Sequence, residues 1–272
     1  MVANNEGSAR KLGLVTGAAS GLGFEFSRLL AGDFFDLVLV DLDPVGLERA
    51  KSELEKSFSV RVDTMVQDLG IPGAAEAIYE KAGGRPVDVL INNAGFGLYG
   101  FFMETSWTRE QAMINLHVLN LTHLTKLMVG EMIRRGSGRI LNVSSMAAFQ
   151  PGPLMSVYYA TKAYILSFSE ALANEVKGTG VTVTVLAPGW FRTNFQKTTA
   201  LHSGVEESTA RLHTVTAEKV ARQAYRALQQ GRTLVVPGFQ NKLLSEFYRV
   251  LPRRTLTSGI RRIQERLRKQ AG

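Results

Sequence analysis

Short apolar runs alternate with longer amphipathic stretches along most of the chain. The runs are four to seven residues long, rich in Val, Ile and Leu, and mostly continuous. Continuous apolar runs of this length are typical of strands that are buried on both faces of a parallel sheet. The predicted strands are Leu12–Thr16, Leu37–Val40, Val60–Val66, Val87–Ile91, Ile140–Val143, Val181–Leu186 and Leu234–Val236.

The stretches between these runs have helical spacing. Pro44 suits the first position of a helix, and Asp43 before it is a suitable N-cap. The alternation of strands and helices over more than 200 residues predicts one doubly wound α/β domain. The predicted helices are Leu22–Leu30, a helix that starts at Pro44, Gly73–Lys81, Arg109–Arg134, Val157–Lys177 and Ala217–Gln230.

The pattern changes after Val236, where two amphipathic helices are predicted in place of further strands. Pro252 ends the first helix, and the second has an arginine-rich outer face. We expect residues 1–238 to form the main domain and residues 239–272 to form a basic helical extension packed on it. The apolar positions of the two helices are Leu243, Leu244, Phe247, Tyr248 and Leu251, then Ile260, Ile263 and Leu267.

The composition is that of an ordinary globular protein. The 272 residues are 45% apolar and 21% charged, which excludes a disordered or collagen-like chain. The absence of cysteine excludes disulfides, thiolate metal sites and a cysteine nucleophile, and the four histidines lack ligand spacing, so no metal is expected. Met1–Lys11 is polar and no run of 18 apolar residues occurs, so we expect a cytoplasmic protein without a transmembrane helix.

Nearly all of the net charge of +8 lies in the last 31 residues. Residues 242–272 hold nine Lys or Arg against two Glu, a balance of +7. The tail is interpreted first as a solvated amphipathic helix packed on the domain or on a partner subunit. Contact with an anionic membrane surface or an acyl carrier is the second interpretation. Nucleic-acid binding is not expected, because no recognised nucleic-acid-binding motif accompanies the charge.

A glycine-rich turn joins the first strand to the first helix. A strand that turns tightly into a helix directs backbone N–H groups and the positive helix end toward a pyrophosphate. The spacing is Gly-x3-Gly-x-Gly rather than the commonest dinucleotide fingerprint, and a purely structural loop is the alternative. The flanking strand and helix favour a dinucleotide cofactor, with contacts from Gly17, Ser20, Gly21, Leu22 and Gly23.

Asp41 ends the second strand, 18 residues after Gly23. A carboxylate at this position accepts hydrogen bonds from both ribose hydroxyls of NAD and repels the 2′-phosphate of NADP. Leu42, Asp43 and Ser20 are not basic, so NAD is the expected cofactor and NADP the alternative. Asp41 could instead cap the next helix, but Asp43 is better placed for that role.

Tyr158 and Lys162 are four residues apart near the start of a predicted helix, so they share one helix face. An ammonium near a phenol favours phenolate and lowers the phenol pKa from about 10 toward neutrality. Such a tyrosine can exchange a proton with a carbonyl or alcohol oxygen. Ser145 follows the fifth strand and can hold the same oxygen. A surface Tyr-x3-Lys pair is the alternative when the motif is taken alone.

Further motifs follow in chain order, and together they resemble the classical short-chain dehydrogenase/reductase (SDR) family. The resemblance extends from the glycine turn to the seventh strand and implies a seven-stranded Rossmann-type sheet. It also implies NAD(P)-dependent interconversion of a ketone and a secondary alcohol. The additional motifs are Asp68, Asn92-Asn93-Ala94-Gly95, Asn115, Ser144-Ser145 and Pro188-Gly189-Trp190-Phe191-Arg192-Thr193.

The resemblance implies roles for individual residues. Tyr158 would be the acid/base, and Ser145 would orient and polarise the substrate carbonyl. Lys162 would lower the Tyr158 pKa and hold the nicotinamide ribose, while Asn115 would support a water chain from Lys162 to solvent. The implied cofactor contacts are Asp68 and Leu69 at the adenine, Asn92, Ala94 and Gly95 along the cofactor, and Pro188, Gly189 and Thr193 at the carboxamide.

The substrate is expected to be lipophilic, such as a fatty-acyl, steroid-like or aromatic compound. A mobile lid is expected at about 194–215, above an apolar mouth, although several aromatic residues could instead be core or subunit contacts. The resemblance also implies a homodimer or homotetramer, built on the helices at 109–134 and 157–177. A catalytically silent nucleotide sensor or scaffold is the alternative function. The substrate-binding candidates are Phe96, Met146, Phe149 and Trp190.

Overall fold

The computed structural model describes residues 10–189 and 215–271, except the side chains of residue 267 and residues 269–271. Its sheet is parallel and has the strand order β3-β2-β1-β4-β5-β6-β7. This doubly wound, Rossmann-type fold confirms the predicted fold class. The strands are β1 (Leu12–Thr16), β2 (Asp36–Asp41), β3 (Val62–Val66), β4 (Val87–Asn92), β5 (Gly138–Val143), β6 (Val181–Leu186) and β7 (Leu234–Val235).

Helix α2 (Pro44–Ser57) begins at the cap and the proline that the sequence supplies. Asp43 is the N-cap of α2, as predicted, and its carboxylate accepts hydrogen bonds from the backbone of Val45 and Gly46. Pro44 is the first helical residue. The helices of the domain are α1 (Gly21–Gly32), α2 (Pro44–Ser57), α3 (Ala74–Lys81), α4 (Trp107–Ile114), α5 (Leu121–Arg135), α6 (Ser156–Glu175) and α7 (Ala217–Gln229).

The helix predicted as one unit over residues 109–134 is interrupted. A π-helical segment at Asn115–Asn120 separates α4 from α5. Inside it, the Asn120 amide donates to the carbonyl oxygens of Leu69 at 2.8 Å and Ile71 at 2.7 Å. The helical periodicity of the sequence does not reveal this wider turn, because π-bulges depend on such tertiary contacts more than on residue type.

Two apolar layers enclose the sheet. One face packs against α1, α2 and α7 around Phe26, Leu30 and Leu47, which are fully buried. The other face packs against α3 and α5 around Ile78, Leu124 and Met132. Burial on both faces explains why the strands read as continuous apolar runs. The order of the sheet reverses between β1 and β4, so a crevice opens outside the carboxyl ends of these two strands.

Two tail helices, α8 (Phe239–Val250) and α9 (Arg253–Ala271), follow β7. They start earlier than the apolar residues of the sequence indicated, and Pro252 lies between them as predicted. Helix α9 contacts the domain through Gln264, whose amide donates to the Tyr159 hydroxyl at 3.3 Å. The Tyr99 hydroxyl in turn donates to the Gln264 backbone carbonyl. In the described part of the chain, no helix is both long and apolar enough to cross a membrane.

Candidate active site

Three glycines of the turn after β1 stand where another residue would be strained or would collide with the backbone. Gly17 has φ +66°, and a Cβ on it would lie 2.8 Å from the Ala94 backbone. A Cβ on Gly23 would lie 2.0 Å from the Gly17 carbonyl oxygen. Gly21 has φ +57° and begins α1. The turn therefore brings the backbone of α1 close to the end of β4.

Asn93 holds this turn, a role that the sequence analysis missed. Its amide donates to the carbonyl oxygens of Thr16 and Gly17, both at 3.0 Å. The Thr16 hydroxyl accepts from the backbone N–H groups of Asn93 and Ala94, at 3.0 and 3.1 Å. The adjacent asparagines in the sequence were the available signal, but only the fold shows which one faces the turn.

The first turn of α1 fits a pyrophosphate. Its N-cap, Ser20, has an extended backbone and makes no side-chain cap hydrogen bond. The first N–H groups of a helix have no intrahelical acceptor, and the helix dipole makes this end positive. Gly17 and Gly23 allow the turn to pack tightly against Asn93 and Ala94, and Gly21 begins the helix without a side chain. The residues present therefore suit a dinucleotide, and their individual contacts with it stay predictions.

Asp41 is fixed beside the same turn. Its carboxylate accepts from the N–H groups of Ala19 at 2.9 Å and Leu42 at 2.7 Å. This position at the end of β2 agrees with the predicted place of the ribose carboxylate. The structure also brings a basic residue nearby, because the Arg49 guanidinium donates to the Ala19 carbonyl at 3.4 Å. Arg49 lies eight residues after Asp41 in the sequence, and the helical turn of α2 returns it to the site.

The other predicted cofactor residues lie at the same edge of the sheet, in different environments. Asp68 is exposed and its carboxylate accepts from the Gly70 N–H at 2.7 Å, while Leu69 is buried. The Asn92 side chain faces the interior, where its amide donates to Thr125 and Asn142. Asn92 therefore ties β4 to β5, whereas Ala94 and Gly95 line the loop that follows.

Ser145 and Tyr158 come together at the end of β5. Their hydroxyl groups share a hydrogen bond, and the Ser145 hydroxyl also accepts from the Ala147 N–H at 3.1 Å. Tyr158 is 8% exposed. The neighbouring Ser144 hydroxyl donates to the Lys162 carbonyl at 2.8 Å, so Ser144 fixes the helix and Ser145 faces the phenol.

Lys162 lies behind Tyr158 on the same face of α6. Its Nζ is 5.8 Å from the centre of the Tyr158 ring and donates to the Val143 carbonyl at 3.0 Å. The lysine is buried, and burial lowers its pKa to about 7. The predicted juxtaposition is therefore present, with the ammonium toward the ring and the β5 carbonyl.

The prediction that the Tyr158 pKa is lowered is wrong for this structure. Burial raises the pKa of the phenol above its ordinary value of 10.0, while the hydrogen bond with Ser145 lowers it and the neighbouring Tyr159 raises it. Desolvation dominates because the phenol is shielded from water. Lys162 is not positioned to cancel this effect, since it bonds to Val143 and itself loses its proton readily.

Asn115 begins the π-helical segment and is buried. Its side-chain amide donates to the Gly70 carbonyl at 2.8 Å, which anchors the segment to the loop after β3. The water chain to Lys162 stays a prediction. His117, two residues later, is fully buried next to Tyr158, with ring centres 6.1 Å apart.

An apolar wall adjoins the phenol. Met113, Ala147, Met155 and Tyr159 are buried with Tyr158 in one cluster, against which Phe96, Leu98, Tyr99 and Val157 pack. Phe96 thus lies at the predicted mouth. Met146 is 8% exposed, and Phe149 is partly covered by the Arg249 guanidinium, 5.7 Å from its ring centre.

The loop after β6 completes the described part of the site. The Pro188 carbonyl accepts from the Met146 N–H at 2.9 Å. A Cβ on Gly189 would lie 2.5 Å from the Asn241 amide of α8, so this glycine permits close packing of the tail. Trp190, Thr193 and the lid at 194–214 lie outside the described residues. Within residues 10–189 and 215–271, which the structure describes, no group of three or more His, Cys, Asp or Glu could hold a metal ion.

Sequence comparisons identify relatives of the chain. The family profile described as short chain dehydrogenase matches residues 11–203. The ketoacyl reductase HetN of Nostoc sp. is 34% identical over 179 residues, which are 65% of this chain and 62% of HetN. The human very-long-chain 3-oxoacyl-CoA reductase is 30% identical over 207 residues, 72% of this chain and 65% of the human protein. The chain thus spans less than two thirds of the length of these relatives.

Solved structures agree with the profile. A 7beta-hydroxysteroid dehydrogenase has a TM-score of 0.83 and 25% identity, with 92% of this chain and 96% of that chain covered. A short-chain dehydrogenase from Sphingobium yanoikuyae in complex with NADPH has a TM-score of 0.77 and 25% identity, with 89% and 96% covered. An SDR from Burkholderia phymatum in complex with NAD has the same fold, with a TM-score of 0.77, 23% identity, and 87% and 92% covered.

The family profile covers well over half of the chain, and the fold and the Ser-Tyr-Lys arrangement agree with it. The chain belongs to the short-chain dehydrogenase/reductase family, whose members are oxidoreductases that bind NAD(P).

Proposed function

We propose that the protein interconverts a lipophilic ketone and a secondary alcohol with NAD(P), and that Tyr158 is its acid/base. The observation that carries the proposal is the hydrogen bond between Ser145 and the buried Tyr158, which packs against an apolar wall. The two hydroxyl groups provide a paired site for one carbonyl oxygen. The described polar groups at this point suit proton transfer and need no metal.

In the proposed reaction, Ser145 and Tyr158 bind the substrate oxygen, and the phenol gives its proton to that oxygen. The raised pKa of Tyr158 keeps the phenol protonated at neutral pH, which suits reduction of a ketone. Lys162 fixes α6 to the end of β5 through the Val143 carbonyl and would hold the nicotinamide ribose. The glycine turn and Asp41 would hold NAD(P), which would supply the hydride for reduction or accept it in the reverse direction. The apolar wall excludes water from the exchanged proton.

A fatty-acyl ketone is the substrate class that we favour. Both sequence relatives are reductases of ketoacyl or 3-oxoacyl compounds. The wall formed by Met155, Phe96 and Leu98 is apolar and can bind an alkyl chain. A steroid-like ketone is the second candidate, because the 7beta-hydroxysteroid dehydrogenase structure is similar along 92% of this chain.

NAD is the proposed cofactor. Asp41 is held in place by the backbone N–H groups of Ala19, Leu42 and Asp43, so its carboxylate cannot turn away from a 2′-phosphate without losing hydrogen bonds. Repulsion between the two anions therefore favours NAD. Arg49 is the group that opposes this preference, since a guanidinium near the Ala19 carbonyl could attract the same phosphate.

The tail and the long helices support two proposals about assembly. Helix α8 exposes the apolar side chains of Phe239, Leu243, Phe247 and Val250, and the following helix α9 has a basic outer face. This combination suits an anionic membrane surface, with the protein otherwise in the cytoplasm.

Helices α5 and α6 are proposed to form a homodimer or homotetramer interface. There Tyr164 stacks on Phe168 with ring centres 5.8 Å apart, and Leu119 is 56% exposed nearby in the chain.

The decisive experiment is a hydride-transfer assay with 3-oxoacyl thioesters, hydroxysteroids and small ketones, each with NADH and NADPH. Turnover of a lipophilic ketone, with little turnover of small ketones, is expected. Binding of NAD(H) without turnover of any compound would instead favour the catalytically silent sensor. The intact Ser145, Tyr158 and Lys162 argue against that alternative.

A further inference from the structure

His117 is a fully buried histidine whose Nε2 has no hydrogen-bond partner among the described residues. It lies within the π-helical segment, two residues after Asn115. Buried polar atoms nearly always have a partner, so an unpartnered nitrogen beside an active site calls for an explanation. The proposed reaction, on which this inference rests, does not yet use this side chain.

The hydrogen bonds define the tautomer of His117. The Thr161 hydroxyl donates its only proton to the Tyr158 carbonyl at 2.8 Å. The same hydroxyl lies 3.0 Å from His117 Nδ1, so Nδ1 must carry the proton and donate to it. Nε2 is therefore the nitrogen with a free lone pair, and it is a hydrogen-bond acceptor.

That acceptor points toward the space beneath Gly95, which Lys162 also reaches. A Cβ on Gly95 would lie 2.8 Å from His117 Nε2 and 3.4 Å from Lys162 Nζ. Both nitrogens therefore lie close to the Gly95 backbone, where a side chain would collide with the imidazole. The titratable groups that face His117 are Lys162 and Tyr158 of α6, while Gly95 and Phe96 of the loop after β4 carry none. An acceptor and an ammonium thus lie on the same side of Gly95.

We propose that His117 is a positioning residue that holds Lys162 in its charged form by accepting a hydrogen bond at Nε2, directly or through one water molecule. Burial disfavours the Lys162 ammonium, and the Val143 carbonyl satisfies only one of its three N–H donors. The neutral imidazole supplies a second acceptor without adding a charge. Burial and the nearby Lys162 lower the pKa of His117 well below 6.5, so the imidazole stays neutral at physiological pH.

The test compares His117→Met with His117→Gln, which are similar in length and differ in whether the side chain ends in a good acceptor. The primary readout is the Lys162 pKa in the cofactor-free protein, measured by NMR of 13C-labelled lysine and assigned with Lys162→Met. One lost hydrogen bond corresponds to a fall of about 0.5 to 1 pH unit. We expect this fall in His117→Met and a value close to wild type in His117→Gln.

His123→Met is the matched control, because that histidine is on the next turns of the same helical stretch and its Nδ1 lies 3.2 Å from the Glu76 carboxylate at the surface. It should leave the Lys162 pKa unchanged. Equal Lys162 pKa values in His117→Met, His117→Gln and wild type would overturn the proposal. Equal falls in both His117 variants would overturn it too, because they would indicate a packing role alone. This readout does not depend on turnover, so the proposed function can fail separately in the ketone assay.

Discussion

Lys162 donates a hydrogen bond to the carbonyl oxygen of Val143 at 3.0 Å, and this contact joins the helix of the catalytic candidates to the end of β5. The bond places the ammonium toward the ring of Tyr158 rather than in solvent. The Ser144 hydroxyl donates to the Lys162 backbone carbonyl and so makes a second bond between α6 and the end of β5. The relative positions of Ser145, Tyr158 and Lys162 are therefore set by buried contacts before any ligand binds.

Replacement of Tyr158 by phenylalanine tests its role as the proton donor. Tyr158→Phe removes the transferable proton and keeps the ring, so kcat should fall about 10²- to 10⁴-fold. NAD(H) affinity, measured by calorimetry, should stay unchanged. Tyr159→Phe is the matched control, since that hydroxyl bonds with Gln264 and should be dispensable for turnover. Comparable activity of Tyr158→Phe and wild type would point to another proton donor.

Asp41 and Arg49 are expected to have opposite effects on NADPH affinity. Asp41→Ala removes the repulsion of the 2′-phosphate and should raise NADPH affinity at least about tenfold, which is about 1.4 kcal/mol. Arg49→Ala should lower NADPH affinity and leave NADH affinity nearly unchanged. Dissociation constants for both cofactors on the three proteins measure this. Wild-type preference for NADPH, or no gain in Asp41→Ala, would assign the dominant role to Arg49.

The buried Lys162 makes stability depend on pH. Its pKa is lowered to about 7 in the folded protein, so between pH 7 and its unfolded value of 10.5 the unfolded chain binds the extra proton. The free energy of unfolding should therefore rise with pH, by about 2 kcal/mol between pH 7 and 9. Lys162→Met should lose this rise in urea unfolding of the cofactor-free protein, while the exposed Lys126→Met should keep it. The same slope in Lys162→Met and wild type would refute the assignment.

Vesicle binding tests the exposed apolar side chains of α8. Phe247→Ser should weaken binding to vesicles of phosphatidylcholine and phosphatidylglycerol at least about tenfold, because a phenyl group leaves the interface. Vesicles of phosphatidylcholine alone should bind little protein. Val45→Ser removes an even more exposed apolar side chain from α2 and serves as the control. Sedimentation of vesicles with the protein measures both effects, and preferential binding of an acyl carrier would contradict the membrane proposal.

The oligomer interface is tested at Leu119. Leu119→Arg introduces a charge into the proposed contact between α5 and α6 of two copies, and sedimentation velocity should show a smaller species than wild type. Val45→Arg introduces the same charge on α2 and should leave the oligomer intact. A wild-type monomer, or unchanged assembly of Leu119→Arg, would exclude this interface.

The sequence predicted most of the fold because each strand is buried on both faces and therefore has a continuous apolar pattern. The bounds of β1 and β6 were predicted to the residue, as was the Asp43 cap with Pro44. The π-helical segment was not predicted, because it depends on Asn115 and Asn120 reaching backbone carbonyls about 50 residues away in sequence. Such contacts leave no local periodicity.

At the site, the spacing of Tyr158 and Lys162 predicted a shared helix face, and the structure has that face turned inward. The direction of the Tyr158 pKa was missed because a sequence shows a nearby charge but not the loss of water around the phenol. His117 and Arg49 were missed for a related reason. Each reaches the site from a different element, and only the packing of α6 and α2 brings them there.

The Asn93 hydrogen bonds to Thr16 and Gly17 link positions about 77 residues apart in sequence. The glycine turn therefore takes its shape only after β4 has paired with β1. During synthesis, the emerging N-terminal segment carries all of its glycines yet cannot hold the turn in shape. A chain truncated before β4 should therefore have no affinity for dinucleotide. Cofactor binding therefore requires that β1 and β4 have paired, and it stabilises that pairing by mass action.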